Sequence, residues 1–376
     1  FDTSEKLETI PQKYYIERSK RPKFNCGKCH GSMVNTPARA SIVPTSNYGD
    51  SMILDVSLSK YCDLIPMDRY SQIAHRNGLM NLPPQSMIEL THHLAKFLDP
   101  IYIKLKDEIL SNSFVLADET PLKMLEGDDR YNWYLWGFFS LRSCYFEAHN
   151  NRSGDVAINF LKRSKAKYLV TDGYSGYKKA VKEMKKKYDR DIVNIFCNAH
   201  SFRYFRDAGN PWTEEVAPIL KLYGQIYELE SQRKKGEETL SREAQLKFRK
   251  NMIPIFSQIK RYCEEKMDSA MRESSFKKAM NYFLNHYDGL TVCTENIDIP
   301  LDNNLSEREM RPPVVGRKTW IGNHSKRGAQ TSAVLFSIVQ SCKLNNINPR
   351  SYFPWIVQKI HQGEKILTPY EYSKLG

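Results

Sequence analysis

From residue 113 the spacing of the apolar residues changes from helical to alternating, and that succession limits the folds open to the chain. SFVLADE is a short apolar run ending in acids, and YNWYLWGFFS and SCYFEAHNN are aromatic and rich in β-formers. GDVAINFLKRS has the spacing of an amphipathic helix. KYLVTDG is a fourth strand running into an acid and a glycine, the helix SGYKKAVKEMKKKY follows, and DIVNIFCNAH supplies a fifth strand. Three antiparallel strands, then helix, strand, helix and strand, make a mixed α/β sheet.

That succession is the strand order of an RNase H-like core, with its first part over residues 111–200. Residues 201–298 are highly charged and helical by pattern, with Val216, Ile219, Leu220, Tyr223, Ile226 and Tyr227 at helical spacing. They read as a helical insertion. Residues 299–345 return to the core and carry an acid-bearing helix, and 346–376 form a C-terminal helical tail after the turn NPRSYF.

Upstream, residues 46–110 read as three helices: SMILDVSLSKYC, PMDRYSQIAHRNG and the longer SMIELTHHLAKFLDPIYIKLKDEIL. Ala74, Gly78 and the apolar helix after them are compatible with a helix-turn-helix DNA reader. A helical subdomain that merely packs on the core fits them equally. His92-His93 reads as a solvated or packed pair. Residues 1–45 are polar and basic and contain RPKFNCGKCH, in which Cys26-x-x-Cys29 is half of a tetrahedral zinc site. No obvious second half follows.

A net charge of +13 favours a polyanionic partner, nucleic acid first and an anionic membrane surface second. No run of 18 or more apolar residues occurs, so no membrane span is expected. Of the eight cysteines only Cys26 and Cys29 are closely spaced. That is not a disulfide framework and points to a reducing cytoplasm. Residue 1 is Phe and no signal-peptide pattern follows, so the chain is expected to begin inside a longer product.

Three carboxylates stand where a catalytic metal pair needs them. Asp118 closes the first strand, Asp172 the fourth, and Glu307 lies in a short helix that Pro312-Pro313 is expected to stop. Mg²⁺ is a hard cation that prefers oxygen ligands. Two such ions roughly 3.5–4 Å apart stabilise both the attacking and the leaving oxygen of an in-line phosphoryl transfer. Asp118 would bridge the ions, and Asp172 and Glu307 would each hold one. Singly, each acid has a plainer reading: a loop acid, a turn-former before Gly173, and a capping-box residue behind Asn304. Arg317 and Lys318 follow Glu307 closely and suit phosphate binding. Arg311 suits it too, or a pairing with Glu307 or Asp302. The lysines from Lys178 to Lys187 suit non-specific backbone contact or a solvated face.

The chain resembles the IS66 family of bacterial insertion-sequence transposases, which are DDE recombinases, over essentially its whole length. ADETPLKML resembles the first-aspartate motif, TDGYSGY the second, CNAHSFRYF the Cys-x-Ala-His segment, and DNNLSEREMRPPVVGRKTW the Glu motif with its trailing Gly-Arg-Lys. RPKFNCGKC resembles the second half of the N-terminal zinc finger, without its first Cys pair. Ser306 replaces the usual Ala, Asn198 stands where an aromatic is usual, and Phe202 where Arg is, leaving Arg203 as the DNA-contacting cation. The resemblance implies catalytic Asp118, Asp172 and Glu307, Mg²⁺ (with Mn²⁺ as a substitute), and transposon-end and target DNA as partners. It also implies a homodimer or higher oligomer on DNA, small accessory proteins of the same element, and a nucleoid-associated location. A two-metal nuclease that never joins strands, and a catalytically inactive DNA-binding regulator, are the competing readings.

Overall fold

The computed structural model describes residues 3–375 apart from 11, 25–26, 28–32, 81, 126–130, 211 and 269–272. The N-terminal segment contributes one short antiparallel pairing, β1 (Lys23–Phe24) with β2 (Val34–Asn35). The zinc expectation for Cys26 and Cys29 falls outside the described residues.

Four helices follow: α1 (Asp50–Tyr61), α2 (Met67–Arg76), α3 (Pro84–Phe97) and α4 (Asp99–Leu110). The single long third helix read from the sequence is therefore two. Pro100 has no N–H to donate and takes the first turn of α4, where that donor is not needed. Gly78 turns the chain after α2 at φ +90°. In α3 only Gln85 and Lys96 are exposed, and His92 donates to or accepts from Thr331 at 2.7 Å. Met87, Leu90, Thr91, Leu94 and Ala95 form the buried stripe of this helix.

The five-stranded sheet is built from β3 (Phe114–Lys123), β4 (Asn132–Phe139), β5 (Cys144–His149), β6 (Tyr168–Thr171) and β7 (Val193–Phe196), in the order β5-β4-β3-β6-β7. β3, β4 and β5 pair antiparallel, while β6 and β7 run parallel to β3. The crossovers are α5 (Gly154–Leu161) and α6 (Ser175–Tyr188). They cover one face, where Phe138 stacks on Phe160 at 3.8 Å and Trp136 meets Tyr177 edge-on.

The stretch expected as a helical insertion, residues 201–298, is helical: α7 (Asn198–Ala208), α8 (Thr213–Lys235), α9 (Arg242–Lys250), α10 (Ile253–Lys266), α11 (Ser275–Thr291) and a 3-10 turn at Val292–Thr294 follow β7. It holds a buried ionic cluster in which Glu230 pairs with Arg233 and with Arg249, and Arg249 also donates to the carbonyls of Cys293 and Ile299. Every charge there has a partner, which burial demands. α11 closes on the outer strand: a Cβ at Gly289 would stand 2.4 Å from the Phe196 ring and 2.7 Å from the Asn194 carbonyl oxygen.

α12 (Asn304–Trp320) lies on the opposite sheet face. The expectation that Pro312-Pro313 stops it is corrected. The two prolines remove two backbone donors, yet Met310, Pro313 and Gly316 are buried, and that packing carries the helix on to Trp320. α13 (Lys326–Leu344) guards the edge strand β5, with Ser337 and Ser341 accepting from the Phe146 and Cys144 amides at 2.9 Å. α14 (Pro349–His361) starts within the expected turn, with Asn348 accepting from the Arg350 amide. α15 (Pro369–Tyr372) begins with a capping box from Thr368 and Glu371.

Candidate active site

Asp118 is in the middle of β3 and does not close it, because β3 runs five residues further in register with β4. Its parallel pairing with β6, however, ends at Leu116 opposite Val170. Asp118 thus projects just past the point where β6 leaves, and Asp172 directly follows the last residue of β6. Strand geometry puts Asp118, Thr120 and the opposed Gly137 on one face. This is the α12 face: a Cβ at Gly137 would press on the Phe139 ring and come within 3.0 Å of the Met310 sulfur. Gly137 leaves room on this face for the Phe139 ring first and for Met310 of the acid-bearing helix beside it.

Asn303 fixes the start of that helix. It is fully buried, its Nδ2 donates to the Ala117 carbonyl at 3.1 Å, its amide donates to the Cys197 thiol at 3.1 Å, and its Oδ1 accepts from Ser306 at 2.7 Å. Asn303 rather than Asn304 occupies the cap position, so Glu307 is the fourth helical residue and not the third. Ala117 adjoins Asp118, so one buried amide registers Glu307 against the first strand. Ser306 is a working member of this anchor, not only a tolerated change.

The electrostatics are those of crowded acids. Burial first, then the charges of Glu119, Asp172 and Glu307, push the Asp118 carboxyl up to about 8, although its Oδ1 accepts from the Glu119 amide at 2.9 Å. Glu119 points to the other face, where Arg152 holds it at 2.6 and 2.8 Å and Tyr177 donates to it. Burial raises its carboxyl against those partners. Asp172 Oδ1 accepts from the Tyr174 amide at 2.9 Å across the turn at Gly173, whose φ is +96°, and its second oxygen is not used in that turn. From the insertion, Tyr282 donates to the Asp172 carbonyl at 2.8 Å.

Glu307 points elsewhere. Arg203 grips it with both guanidinium nitrogens, Nη1 at 2.8 Å from Oε2 and Nη2 on Oε1, and His200 Nδ1 lies 3.4 Å from Oε1. Burial opposes its charge, but Arg203, His200 and Arg311 together hold its carboxyl below the ordinary range. Burial and then Arg203 push His200 down, and burial pushes the Cys197 thiol up to about 12. Among the described residues, the set of His, Cys and acidic side chains whose ligand atoms all lie within 4.8 Å is Cys197, His200 and Glu307. Asp118 and Asp172 are outside it. Cys197 and His200, too small a set for a metal by themselves, gain a third member from α12.

Of the expected cations, Arg317 donates to Thr120 at 3.0 Å on the Asp118 face, Lys318 and Arg311 are exposed on α12, and Arg203 is committed to Glu307. Phe202 packs edge-on against Tyr223 and Tyr227, and buried Asn198 donates to the carbonyls of Leu290 and Leu301. Phe202 thereby ties α7 to α8, and Asn198 ties it to the end of α11 and to the segment before α12. In α6, Lys179, Lys185 and Lys187 pair with Asp155, Asp191 and Glu183. Asn303 was expected with Asn304 as a turn and cap residue that aims Glu307; the Arg203–Glu307 grip, Gly137 and Tyr282 were not foreseen. The spacing of Cys197, His200 and Arg203 at three-residue steps was the one available signal for the first.

Residues 45–331 match the Transposase IS66 family. Three uncharacterized proteins of Sinorhizobium fredii are similar along nearly the whole chain. y4jD is 25% identical over 388 residues, covering 98% of this chain and 74% of its own. y4hP is 23% identical, covering 99% and 71%, and y4qI is 24% identical, covering 96% and 68%. The family match takes in the four helices, the sheet, the insertion and the Glu307 helix, and the chain belongs to the IS66 transposase family.

Proposed function

We propose that the chain is a DDE transposase that cleaves DNA at the ends of an insertion sequence and joins the freed 3′-OH to target DNA. Asp118, Asp172 and Glu307 are its metal-holding residues. The observation that carries this is Asp118, a carboxyl on the α12 face of the sheet beside the end of β6 and Asp172, pushed up to about 8 by burial first and then by the charges of Glu119, Asp172 and Glu307. Repulsion of that kind is relieved by a cation, and an all-carboxylate oxygen set suits Mg²⁺ or Mn²⁺. The bound ions would supply Lewis-acid stabilisation of the attacking and leaving oxygens. The sheet order β5-β4-β3-β6-β7 supports the RNase H-like reading of the core.

The chain's own residues bind and orient. Asn303 holds the Glu307 helix on β3, and Gly173 turns the chain so that Asp172 presents one oxygen. Arg317, steadied by Thr120, gives the Asp118 face a positive edge for the phosphate backbone, and Lys318 and Arg311 extend it. Synapsis of two ends calls for a dimer or higher oligomer. A completed Cys26–Cys29 zinc site and the accessory proteins of the element belong to the same reading.

The test uses the full chain with the accessory proteins of its element, Mg²⁺, a labelled transposon end and supercoiled target. Joined products are expected. Asp118→Ala should cut both cleavage and joining to below roughly a hundredth while end binding changes by less than about twofold. Cleavage without joined products would assign a two-metal nuclease instead. Full transfer by the variant would remove Asp118 from the site.

A further inference from the structure

We propose that Arg203 is a positioning residue that keeps Glu307 off the two aspartates until a DNA phosphate takes its place as the partner of Arg203. The inference rests on the assignment of Asp118, Asp172 and Glu307 as the metal-holding set. Both Glu307 oxygens are engaged by one guanidinium, and His200 lies behind the same oxygen. A carboxylate gripped at both oxygens has little capacity left for a cation, and the guanidinium repels one.

The grip is reachable from solvent. The side chains of Arg203 and Glu307 are 32% and 28% exposed, so a ligand can approach without unfolding α7 or α12. The planar fork of arginine matches a phosphate as well as it matches a carboxylate, with two parallel donor bonds. Phosphate and Glu307 therefore compete for the same donors. A phosphate on Arg203 leaves Glu307 free to turn toward the negative centre at Asp118 and Asp172, where its charge is tolerated only with a cation. The remaining anchors do not have to move: Asn303 stays on Ala117, and Cys197 and Asn198 stay buried at the start of α7. DNA binding and metal binding are then coupled through one side chain, and the coupling acts equally in both directions.

The experiment measures binding, without turnover, at a single ionic strength. Binding of a fluorescent duplex end to the full chain in chelator is compared for wild type, Glu307→Gln, Asp172→Asn, Arg203→Gln and the double variant Arg203→Gln/Glu307→Gln. Thermal melting verifies that each is folded. Glu307→Gln releases Arg203 and should tighten DNA binding by roughly fivefold to tenfold. Asp172→Asn removes the same charge with the grip intact and should tighten it by less than about twofold. Arg203→Gln should weaken binding, and the double variant should lose the gain. Equal gains in Glu307→Gln and Asp172→Asn would overturn the release, as would a gain that survives in the double variant.

A second arm titrates Mn²⁺ into the DNA-free proteins. Arg203→Gln should bind Mn²⁺ roughly tenfold more tightly than wild type, and Asp118→Asn should lose binding. Unchanged Mn²⁺ affinity in Asp118→Asn would remove the metal-holding assignment itself. Loss in Asp118→Asn without a gain in Arg203→Gln would leave that assignment standing and overturn the role of Arg203.

Discussion

At Asp118 the sheet places a carboxyl where burial and three acids all disfavour its charge. Its value of about 8 in the folded, metal-free chain lies above the roughly 3.9 of an unfolded aspartate. The folded chain therefore holds a proton that the unfolded chain has released. The associated stability is complete below about pH 4 and is lost as pH rises through 8. In chelator, the melting temperature of the wild type should fall between about pH 5 and pH 8, and Asp118→Asn should flatten that fall. At pH 8 the variant should be the more stable by on the order of 2 kcal/mol, as read by calorimetry. Parallel profiles for the two proteins would contradict the crowding at Asp118. The acids themselves were legible in the sequence, since Asp118 ends the apolar run that opens β3, Asp172 follows β6 and Glu307 lies in the first turn of α12. Their partners were not, because Arg203 and Glu307 meet across 104 positions of chain. No local pattern records which oxygen faces which guanidinium.

Elements were legible where one period dominates. α6 was read with its observed bounds, and the five strands came in the right order, but β3 outran its apolar run because β4 continues to pair with it through Lys123. Prolines misled in both directions. Pro100 divides what looked like one helix, whereas Pro312 and Pro313 sit inside a helix that buried neighbours hold together. Close approaches are likewise invisible in sequence, and glycines show where they occur. Gly137→Val should wedge α12 from β4, costing about 1–3 kcal/mol by thermal melting, with a larger proportional loss of strand cleavage. Gly224→Ala is the control within α8, where an added Cβ meets nothing within 4 Å. It should stabilise by roughly 0.5–1 kcal/mol through helix propensity alone. Equal effects at the two positions would mean that the α12–sheet approach is not tight.

At the scale of the molecule, the sheet sets two aspartates, α12 brings the glutamate from beyond the insertion, and the insertion returns to touch the site. α11 packs on β7 at Gly289, and its Tyr282 reaches the Asp172 carbonyl. The chain between the second and third acids thus reaches the proposed site through Tyr282. No described helix is long and apolar enough to cross a membrane. The overall charge of +13 suits a phosphate-rich partner, and Arg317, Lys318 and Arg311 on α12 place part of it beside the acids. Composition suggested the partner, and period suggested the sheet, but only the structure reveals that the third acid, on α12, is engaged by Arg203 of α7. The most direct measurement is anomalous scattering from Mn²⁺ in crystals of the chain bound to transposon-end DNA. The expected result is manganese coordinated by oxygens of Asp118, Asp172 and Glu307. Manganese at Cys197 and His200, or a centre lacking any one of the three carboxylates, would contradict the assignment.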